Sequence, residues 1–253
     1  MQGGDFLYYA VSEFGERVHI SNATPAKKYV CPLCRMELIQ RRGKINTHHF
    51  AHYSRRNCDD WYVDKTEWHR LWQLCFPVSA QEQKIEIGSV KHIADVAINN
   101  VVIEFQHSSI SAEDFQERAL FYSCGGRKLI WVIDCRKDYE SERILWSDEA
   151  PFGGARYKWY QPKKYLAGVI PRQKRGIEVF LQIDEETLLQ IVTIACSYQG
   201  VYSYKEFSAY ELNIDDFMEF VGGQINTEWK PKEEEKFELV QSRIEANKAG
   251  IVK

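Results

Sequence analysis

Two carboxylates near the middle of the chain, Asp95 and Glu104, have the residue types and the spacing of a cation site. Asn99 and Asn100 lie midway between them and suit a two-residue hairpin turn, because Asn tolerates positive φ. Pairing across that turn puts residue 95 directly opposite residue 104, with Cβ atoms about 5 Å apart. Like charges so placed need compensation. The pattern therefore predicts Mg²⁺ or Mn²⁺ and phosphodiester hydrolysis, with a solvated acidic face as the alternative.

The hairpin that carries these acids has two unlike faces. Because side chains alternate along a strand, Gln106 points to the same face as Glu104. The opposite face is apolar and is predicted to enter a core; it carries Val96, Ile98, Val101, Ile103 and Phe105.

A helix is predicted just before these strands. Residues 64–67 resemble a capping box, and the helix is expected to run to about residue 76, before Pro77. Glu67, Leu71 and Leu74 are spaced to share one helix face, which we expect to face the core. Glu67 is thus a candidate third oxygen ligand, or else only a cap.

The N-terminal region carries zinc-ligand residue types at zinc-ligand spacings. Cys31 and Cys34 form a Cys-x₂-Cys pair, which is followed by His48, His49 and His52. Four such ligands would make a closed structural Zn²⁺ site that stabilises a module too small to fold on its own core. His48 with His52 fits the usual spacing, and Cys58 is a possible substitute ligand. Two buried thiols with surface histidines are the alternative.

The same region is strongly basic, although the whole chain has a formal net charge of −3. Within residues 27–56 the only acidic residue is Glu37. A local basic block in an acidic chain is typical of a phosphate-contacting surface or of a solubilising face. The candidate DNA contacts are Lys27, Lys28, Arg35, Arg41, Arg42, Lys44, Arg55 and Arg56.

Composition indicates a globular protein, since 44% of its 253 residues are hydrophobic. No apolar run approaches the roughly 20 residues needed to cross a bilayer. The start of the sequence does not resemble a secretion signal, so a cytoplasmic protein with no membrane partner is expected. The seven cysteines show no pairing pattern, which argues against a disulfide scaffold.

The remaining chain predicts an α/β protein. Strands are expected at residues 81–90, 129–133 and 177–183, and helices at 111–124 and 185–196. Further helical pieces are expected over residues 207–220, with a charged helix at the C-terminal end.

Four segments together resemble the competence protein CoiA-like family, whose members resemble PD-(D/E)XK nucleases. They are residues 31–34 (CPLC), residues 49–52 (HFAH), residues 66–69 (TEWH), and Ala94-Asp95 followed by residues 103–106 (IEFQ). The resemblance implies a restriction-endonuclease-like core, with a mixed sheet flanked by helices, after a small zinc-finger-like module. The implied zinc ligands are Cys31, Cys34, His49 and His52.

The resemblance also implies catalytic roles. Asp95 and Glu104 would bind the catalytic metal, Glu67 would contribute from the preceding helix, and Gln106 would occupy the position of the superfamily lysine. Because a glutamine offers only an amide dipole, another cation is needed; the candidates in the sequence are Lys84, Lys91, His92 and His107.

We therefore predict three parts: residues 1–60 with the zinc module, residues 61–136 as the nuclease core, and residues 137–253 as an α/β extension. The expected function is Mg²⁺- or Mn²⁺-dependent DNA endonuclease or DNA-structure-processing activity on double- or single-stranded DNA. The alternatives are a non-catalytic DNA-binding factor in uptake or recombination, and an antiphage effector nuclease controlled by a protein partner.

Overall fold

The computed structural model describes residues 6–43, 47–53, 58–59, 61, 65–108, 110–150, 154–160, 177–198 and 204–221. The chain forms two compact units, residues 1–103 and residues 104–253. The boundary falls inside one β-strand. Among the described residues, no helix is long and apolar enough to cross a membrane.

The first part of unit 1 is a small antiparallel sheet with strand order β2-β1-β3-β4-β5. Its strands are β1 (Tyr9–Ser12), β2 (Arg17–His19), β3 (Tyr29–Val30), β4 (Glu37–Arg41) and β5 (His49–His52). A 3-10 turn at Ile20–Asn22 follows β2. The core of this sheet is thin and is built from residues such as Tyr9, Tyr29, Leu38 and Phe50.

The second part of unit 1 begins with helix α1 (Glu67–Leu74), followed by the strands β6 (Gln81–Ile87), β7 (Val90–Ile98) and β8 (Val101–Gln106). Strand β7 pairs antiparallel with β6 and with β8. The β7–β8 pairs are Val96 with Ile103, Ala97 with Val102, and Ile98 with Val101. Asn99 has a φ of 53°, so the predicted two-residue hairpin turn and its register are confirmed.

Unit 2 begins within β8, at Glu104. Its elements are α2 (Ala112–Cys124), β9 (Lys128–Asp134), α3 (Arg136–Glu140), β10 (Ile144–Glu149), β11 (Ala155–Tyr160), β12 (Ile177–Gln182), β13 (Thr187–Tyr198), β14 (Tyr204–Asn213) and α4 (Ile214–Val221). Six of its strands follow the order β10-β11-β14-β13-β12-β9. Strands β9 and β12 are parallel, whereas β12 and β13 are antiparallel, so the sheet is mixed. The protein is therefore of the mixed α/β class, with a large mixed sheet and few helices.

Helix α2 begins where the sequence predicts it. The Ser111 side chain accepts a hydrogen bond from the Asp114 backbone N–H, which caps the helix. Phe115 stacks on Trp131 of β9, with ring centroids 4.4 Å apart. This packing fixes α2 against β9, because both rings are almost fully buried.

One prediction for the C-terminal half is wrong and another is confirmed only in part. Residues 185–196 were expected to be helical, but most of them form strand β13. Of the helical pieces expected over residues 207–220, the part from residue 214 onward is helix α4, whereas residues 207–213 belong to strand β14. Strand β13 is rich in Thr, Ile and Val and pairs on both sides, with β12 and β14. Such β-branched residues favour a strand once partners are available. The charged C-terminal helix lies outside the described residues, and the three-part domain division stays a prediction.

Candidate functional site

Asp95 lies on β7 with its carboxylate almost buried; the side chain is 12% exposed. Its Oδ1 lies 2.8 Å from Nε2 of His69 and 3.9 Å from Nζ of Lys65. Its backbone carbonyl accepts a hydrogen bond from the Gln73 side-chain amide, at 3.1 Å. Burial of a carboxylate is costly unless cations or donors surround it. The Asp95 carboxylate is therefore restrained from the side of helix α1.

Helix α1 positions these groups through an inward face that differs from the predicted one. Trp68, His69, Trp72 and Gln73 are buried, whereas Leu74 is 45% exposed. The two tryptophans, four residues apart, bury more apolar surface than the leucines would. The helix therefore turns His69 inward.

Glu67, a candidate third metal ligand, is on the solvent side of this helix. Its side chain is 63% exposed and forms an ion pair with Arg70, 2.5 Å away. That hydrogen bond lowers the pKa of Glu67. The expectation that Glu67 faces the core is wrong, because the tryptophan face of α1 packs inward instead. Thr66 caps the helix, and Asp64 lies outside the described residues.

Lys65 and Glu82 form a buried ion pair beside Asp95. The Lys65 and Glu82 side chains are 6% and 2% exposed, and Nζ lies 2.5 Å from Glu82 Oε1. Glu82 also accepts hydrogen bonds from the backbone N–H groups of Tyr8 and Tyr9. The chain thus places a cation at Asp95 that sequence reasoning missed. The sequence carries no signal for this pair, because Glu82 stands in a run of four polar residues, 81–84, and only the fold buries it.

Glu104 lies in unit 2 and is also buried, at 4% exposed. Its Oε2 accepts a hydrogen bond from Arg118 Nη1 at 3.0 Å, and its Oε1 accepts one from the Tyr122 hydroxyl at 2.8 Å. Arg118 and Tyr122 lie one turn apart on α2, which places both on one helix face. Each carboxylate oxygen of Glu104 is therefore held by a donor on helix α2.

Gln106, at the end of β8, is 3% exposed. Its amide Nε2 donates to the backbone carbonyl of Ser108 at 2.7 Å. The neighbouring His107 contacts Asp134, with Nδ1 2.8 Å from Oδ2. Burial opposes ionisation of Asp134, but hydrogen bonds from Arg136 and His107 outweigh it and lower the pKa of this carboxyl. Through its hydrogen bond to Ser108, Gln106 stabilises the turn after β8.

The cations named from the sequence as replacements for the superfamily lysine have other contacts or positions. Lys84 forms an ion pair with Glu86, His92 contacts Asp59 and His107 contacts Asp134. Lys91 is exposed. Lys65 and His69, by contrast, lie next to the Asp95 carboxylate.

The N-terminal cysteines gather into a cluster that could hold a metal. One ligand atom each from Cys31, Cys34, His52 and Cys58 lies within 4.8 Å of the others. The Sγ atoms of Cys31 and Cys58 are 3.5 Å apart, and Cys34 Sγ lies 3.2 Å from His52 Nε2. In a tetrahedral Zn²⁺ site with bonds of about 2.3 Å, two sulfurs lie about 3.8 Å apart. Three thiols and one imidazole at these distances fit zinc.

A tight turn aims the first two thiols. The Leu33 N–H donates to Cys31 Sγ, and the Arg35 N–H donates to the Cys31 carbonyl. Arg35 closes the turn with a φ of 63°, a conformation that few non-glycine residues adopt. The hydrogen bond from Cys58 lowers the pKa of the Cys31 thiol, despite its burial, and raises that of Cys58. One thiolate is therefore already stabilised in the cluster.

Cys58 takes the position that the resemblance gave to His49. His49 and His52 lie three residues apart on β5, so their side chains point to opposite faces. His49 stacks on Phe6, with ring centroids 3.7 Å apart, and its Nδ1 lies 2.8 Å from the Thr47 carbonyl. His48, the alternate ligand, is exposed and is not in the cluster. The assignment is thus corrected to Cys31, Cys34, His52 and Cys58.

The segment after Cys58 is fastened to strand β7. Asp59 accepts hydrogen bonds from the Ile93 and Trp61 backbone N–H groups and contacts Nδ1 of His92 at 2.8 Å. The Trp61 ring stacks on His92, with centroids 3.3 Å apart. These contacts connect the cysteine cluster to the strand that carries Asp95.

The basic block divides into exposed and structural residues. Lys27, Lys28, Arg35 and Arg41 are exposed, and Lys28 pairs with Glu37. Arg42 instead donates to the backbone carbonyls of Ile20 and Ala23, so its guanidinium fixes the 3-10 turn. Lys44, Arg55 and Arg56 lie outside the described residues.

Two regions of the chain match protein-family descriptions. Residues 13–60 match "Competence protein CoiA, N-terminal domain", and residues 83–178 match "Competence protein CoiA, nuclease-like domain". The first match contains the cysteine cluster, and the second contains Asp95, Glu104 and Gln106. Neither the curated proteins nor the solved structures gave a significant match. The two consecutive matches, in this order along one chain, establish that the protein belongs to the CoiA-like family and carries a nuclease-like domain.

Proposed function

We propose that this protein is a Mg²⁺- or Mn²⁺-dependent DNA nuclease of the PD-(D/E)XK type. The observation that carries the proposal is the presence of two buried carboxylates, Asp95 and Glu104, on the strands of one hairpin within the nuclease-like match. Burial makes them poor candidates for a solvated surface pair, since carboxylates are rarely buried without a partner or a metal.

The proposed metal ligands are Asp95 and Glu104 acting together. The β7–β8 pairs observed in unit 1 end at Val96 and Ile103, so the proposed pair is the next step of that register. Oxygen donors of this kind suit a hard divalent cation. A divalent cation held by these residues would supply a water of lowered pKa for hydrolysis of the phosphodiester.

Neighbouring side chains hold these two carboxylates in position. His69 and Lys65 restrain Asp95 at Oδ1. Arg118 and Tyr122 hold one oxygen each of Glu104. Such contacts fix a carboxylate before the ligand arrives, so less reorganisation is needed when the metal and the phosphate bind.

DNA would be bound by the exposed members of the basic block. Lys27, Lys28, Arg35 and Arg41 are exposed residues of the region that contains the cysteine cluster, and a structural zinc ion would stiffen the turn that carries Arg35. Contacts of this type hold the phosphate backbone without reading sequence. Binding should therefore weaken steeply as salt rises.

The test is cleavage of plasmid, linear duplex and single-stranded DNA, with RNA in parallel, in Mn²⁺, Mg²⁺ or EDTA. Asp95→Asn and Glu104→Gln are expected to lose cleavage by about 10³-fold or more, as removal of a metal ligand usually does. Glu86→Gln is the matched control, because Glu86 is an exposed acid on neighbouring β6. Cleavage that persists in EDTA, or in both site variants, would contradict the proposal.

One observation favours the non-catalytic alternative. The side-chain amide of Gln106 donates to Ser108, so its N–H group is committed to the chain at the position where the superfamily has a lysine. A DNA-binding factor without activity would retain salt-sensitive binding in wild type and both variants, and would cleave none of the substrates with any metal. Cleavage that requires an added protein would instead favour the partner-controlled effector.

A further inference from the structure

The ion pair between Lys65 and Glu82 lies beside Asp95 and outside both family matches, since residues 61–82 belong to neither. Lys65 Nζ is 2.5 Å from Glu82 and 3.9 Å from Asp95 Oδ1. Its side chain is only 6% exposed. Lysine is almost never buried to this degree unless it is paired.

Glu82 is built as a rigid support for this lysine. It accepts hydrogen bonds from the Tyr8 and Tyr9 backbone N–H groups, which fix both carboxylate oxygens. Its φ of 44° is unusual for a non-glycine residue, and backbone strain of this kind is concentrated at functional sites. Lys65 therefore cannot move away from Asp95 without breaking its ion pair with Glu82.

Stability alone does not account for the pair. Well-packed apolar residues of similar volume often replace a buried ion pair with no loss of stability. Lys65 and Glu82 by themselves would also be electrically neutral. Here, however, the lysine also faces a second carboxylate, that of Asp95. The arrangement puts one fixed positive charge between two acids.

We propose that Lys65 is the fixed cation of the acid site and that Glu82 positions it there, so that together they supply the charge that Gln106 lacks. This inference rests on the proposed nuclease function. Lys65 acts through Asp95 and is a positioning residue. The positive charge of Lys65 offsets part of the negative charge of Asp95. Asp95 would then neutralise a bound metal ion less, and that ion would polarise water and phosphate more strongly.

The charge model makes a prediction that separates turnover from metal affinity. Replacing Lys65 with a neutral residue removes a charge that repels the metal. The metal activation constant, which is the metal concentration that gives half-maximal turnover, should therefore stay the same or fall. Turnover at saturating metal should fall by about tenfold or more, which corresponds to about 1.4 kcal/mol of barrier. A structural defect would instead weaken metal binding and turnover together.

Three variants make the test specific. Lys65→Met removes the charge and keeps most of the length. Lys65→Met combined with Glu82→Gln removes the positive charge without leaving the Glu82 carboxylate buried and lacking its cation. Lys65→Arg keeps the positive charge. Lys84→Met is the matched control, because Lys84 lies on β6 and pairs with the exposed Glu86.

The measurement is turnover as a function of Mn²⁺ and of Mg²⁺ for each variant. The inference predicts low turnover with an unchanged or smaller activation constant in the double variant, near-normal turnover in Lys65→Arg, and no effect of Lys84→Met. Turnover of the double variant within about twofold of wild type would overturn it and leave the pair as structure only. An activation constant that rises as turnover falls would overturn it equally. If Lys65→Met fails to fold, the other two variants decide the matter.

A direct binding measurement separates this inference from the proposed function. Mn²⁺ binding is followed by electron paramagnetic resonance, with Asp95→Asn as the reference for loss of the site. If the wild type cleaves nothing, the nuclease proposal fails, and Mn²⁺ affinity becomes the test of the role of Lys65. In that case the double variant should bind Mn²⁺ at least as tightly as the wild type. Weaker binding in that variant, or no Asp95-dependent binding in wild type, would overturn the inference.

Discussion

The cysteine cluster and the surroundings of Asp95 lie in the same unit but differ in how their negative charge is balanced. At the cluster, three thiols and an imidazole converge, so a bound metal would balance the charge of the thiolates and stabilise the fold. At Asp95, a lysine and a histidine already face the carboxylate. The comparison teaches that metal removal should damage the fold at the first site and only the chemistry at the second.

The largest expected effect is loss of the cluster. Cys34→Ser should abolish zinc binding and lower the unfolding midpoint by about 10 °C or more, because zinc binding supplies much of the folding free energy of a small module. Cys124→Ser is the control, since Cys124 is an exposed cysteine on α2. Zinc content and thermal unfolding would be measured together. Equal stability of the two variants would mean that the cluster does not depend on metal.

A second prediction tests which histidine belongs to the cluster. His52→Ala should lose zinc nearly as completely as Cys34→Ser, because Nε2 of His52 lies 3.2 Å from Cys34 Sγ. His49→Ala should keep zinc and lose its stacking on Phe6, for which we expect about 1 kcal/mol, together with its contact to the Thr47 carbonyl. The metal content of the purified variants decides between them. Retention of zinc in His52→Ala would restore His49 as the ligand.

The third prediction concerns how Glu104 is supported in unit 2. Arg118→Met removes one partner of a buried ion pair and should cost about 3 kcal/mol of unfolding free energy. Arg156→Met is the control, because Arg156 pairs with the half-exposed Asp148 and should cost under about 1 kcal/mol. Denaturant unfolding without added Mg²⁺ or Mn²⁺, and without a chelator that would remove zinc, measures both. Similar costs would show that Glu104 does not depend on Arg118 for its stability.

The smallest effect is expected at Glu67. Because its side chain is 63% exposed and paired with Arg70, Glu67→Gln should leave cleavage within about twofold of wild type. Asp95→Asn in the same assay gives the scale of a true ligand loss. A loss in Glu67→Gln that approaches that of Asp95→Asn would return Glu67 to the metal site.

Local patterns predicted the parts of the fold that depend on local chemistry. The hairpin turn at Asn99, the cap of α2 at Ser111, and the convergence of Cys31 and Cys34 follow from residue type and short spacing, and the structure has all three. The face of α1 and the nature of β13 did not follow. Both depend on what packs alongside: the tryptophans in the first case and the neighbouring strands β12 and β14 in the second.

For the candidate site, residue types and spacing were enough to predict a divalent cation at Asp95 and Glu104 and zinc at the cysteines. Tertiary structure decided their neighbours. Cys58 replaces His49 because strand alternation turns residues three apart to opposite faces. Lys65 reaches Asp95 from 30 positions away in the chain because Glu82, on a third element, holds it there. Charge balance inside a protein is set by distance in space, which the spacing of residues along a chain does not give.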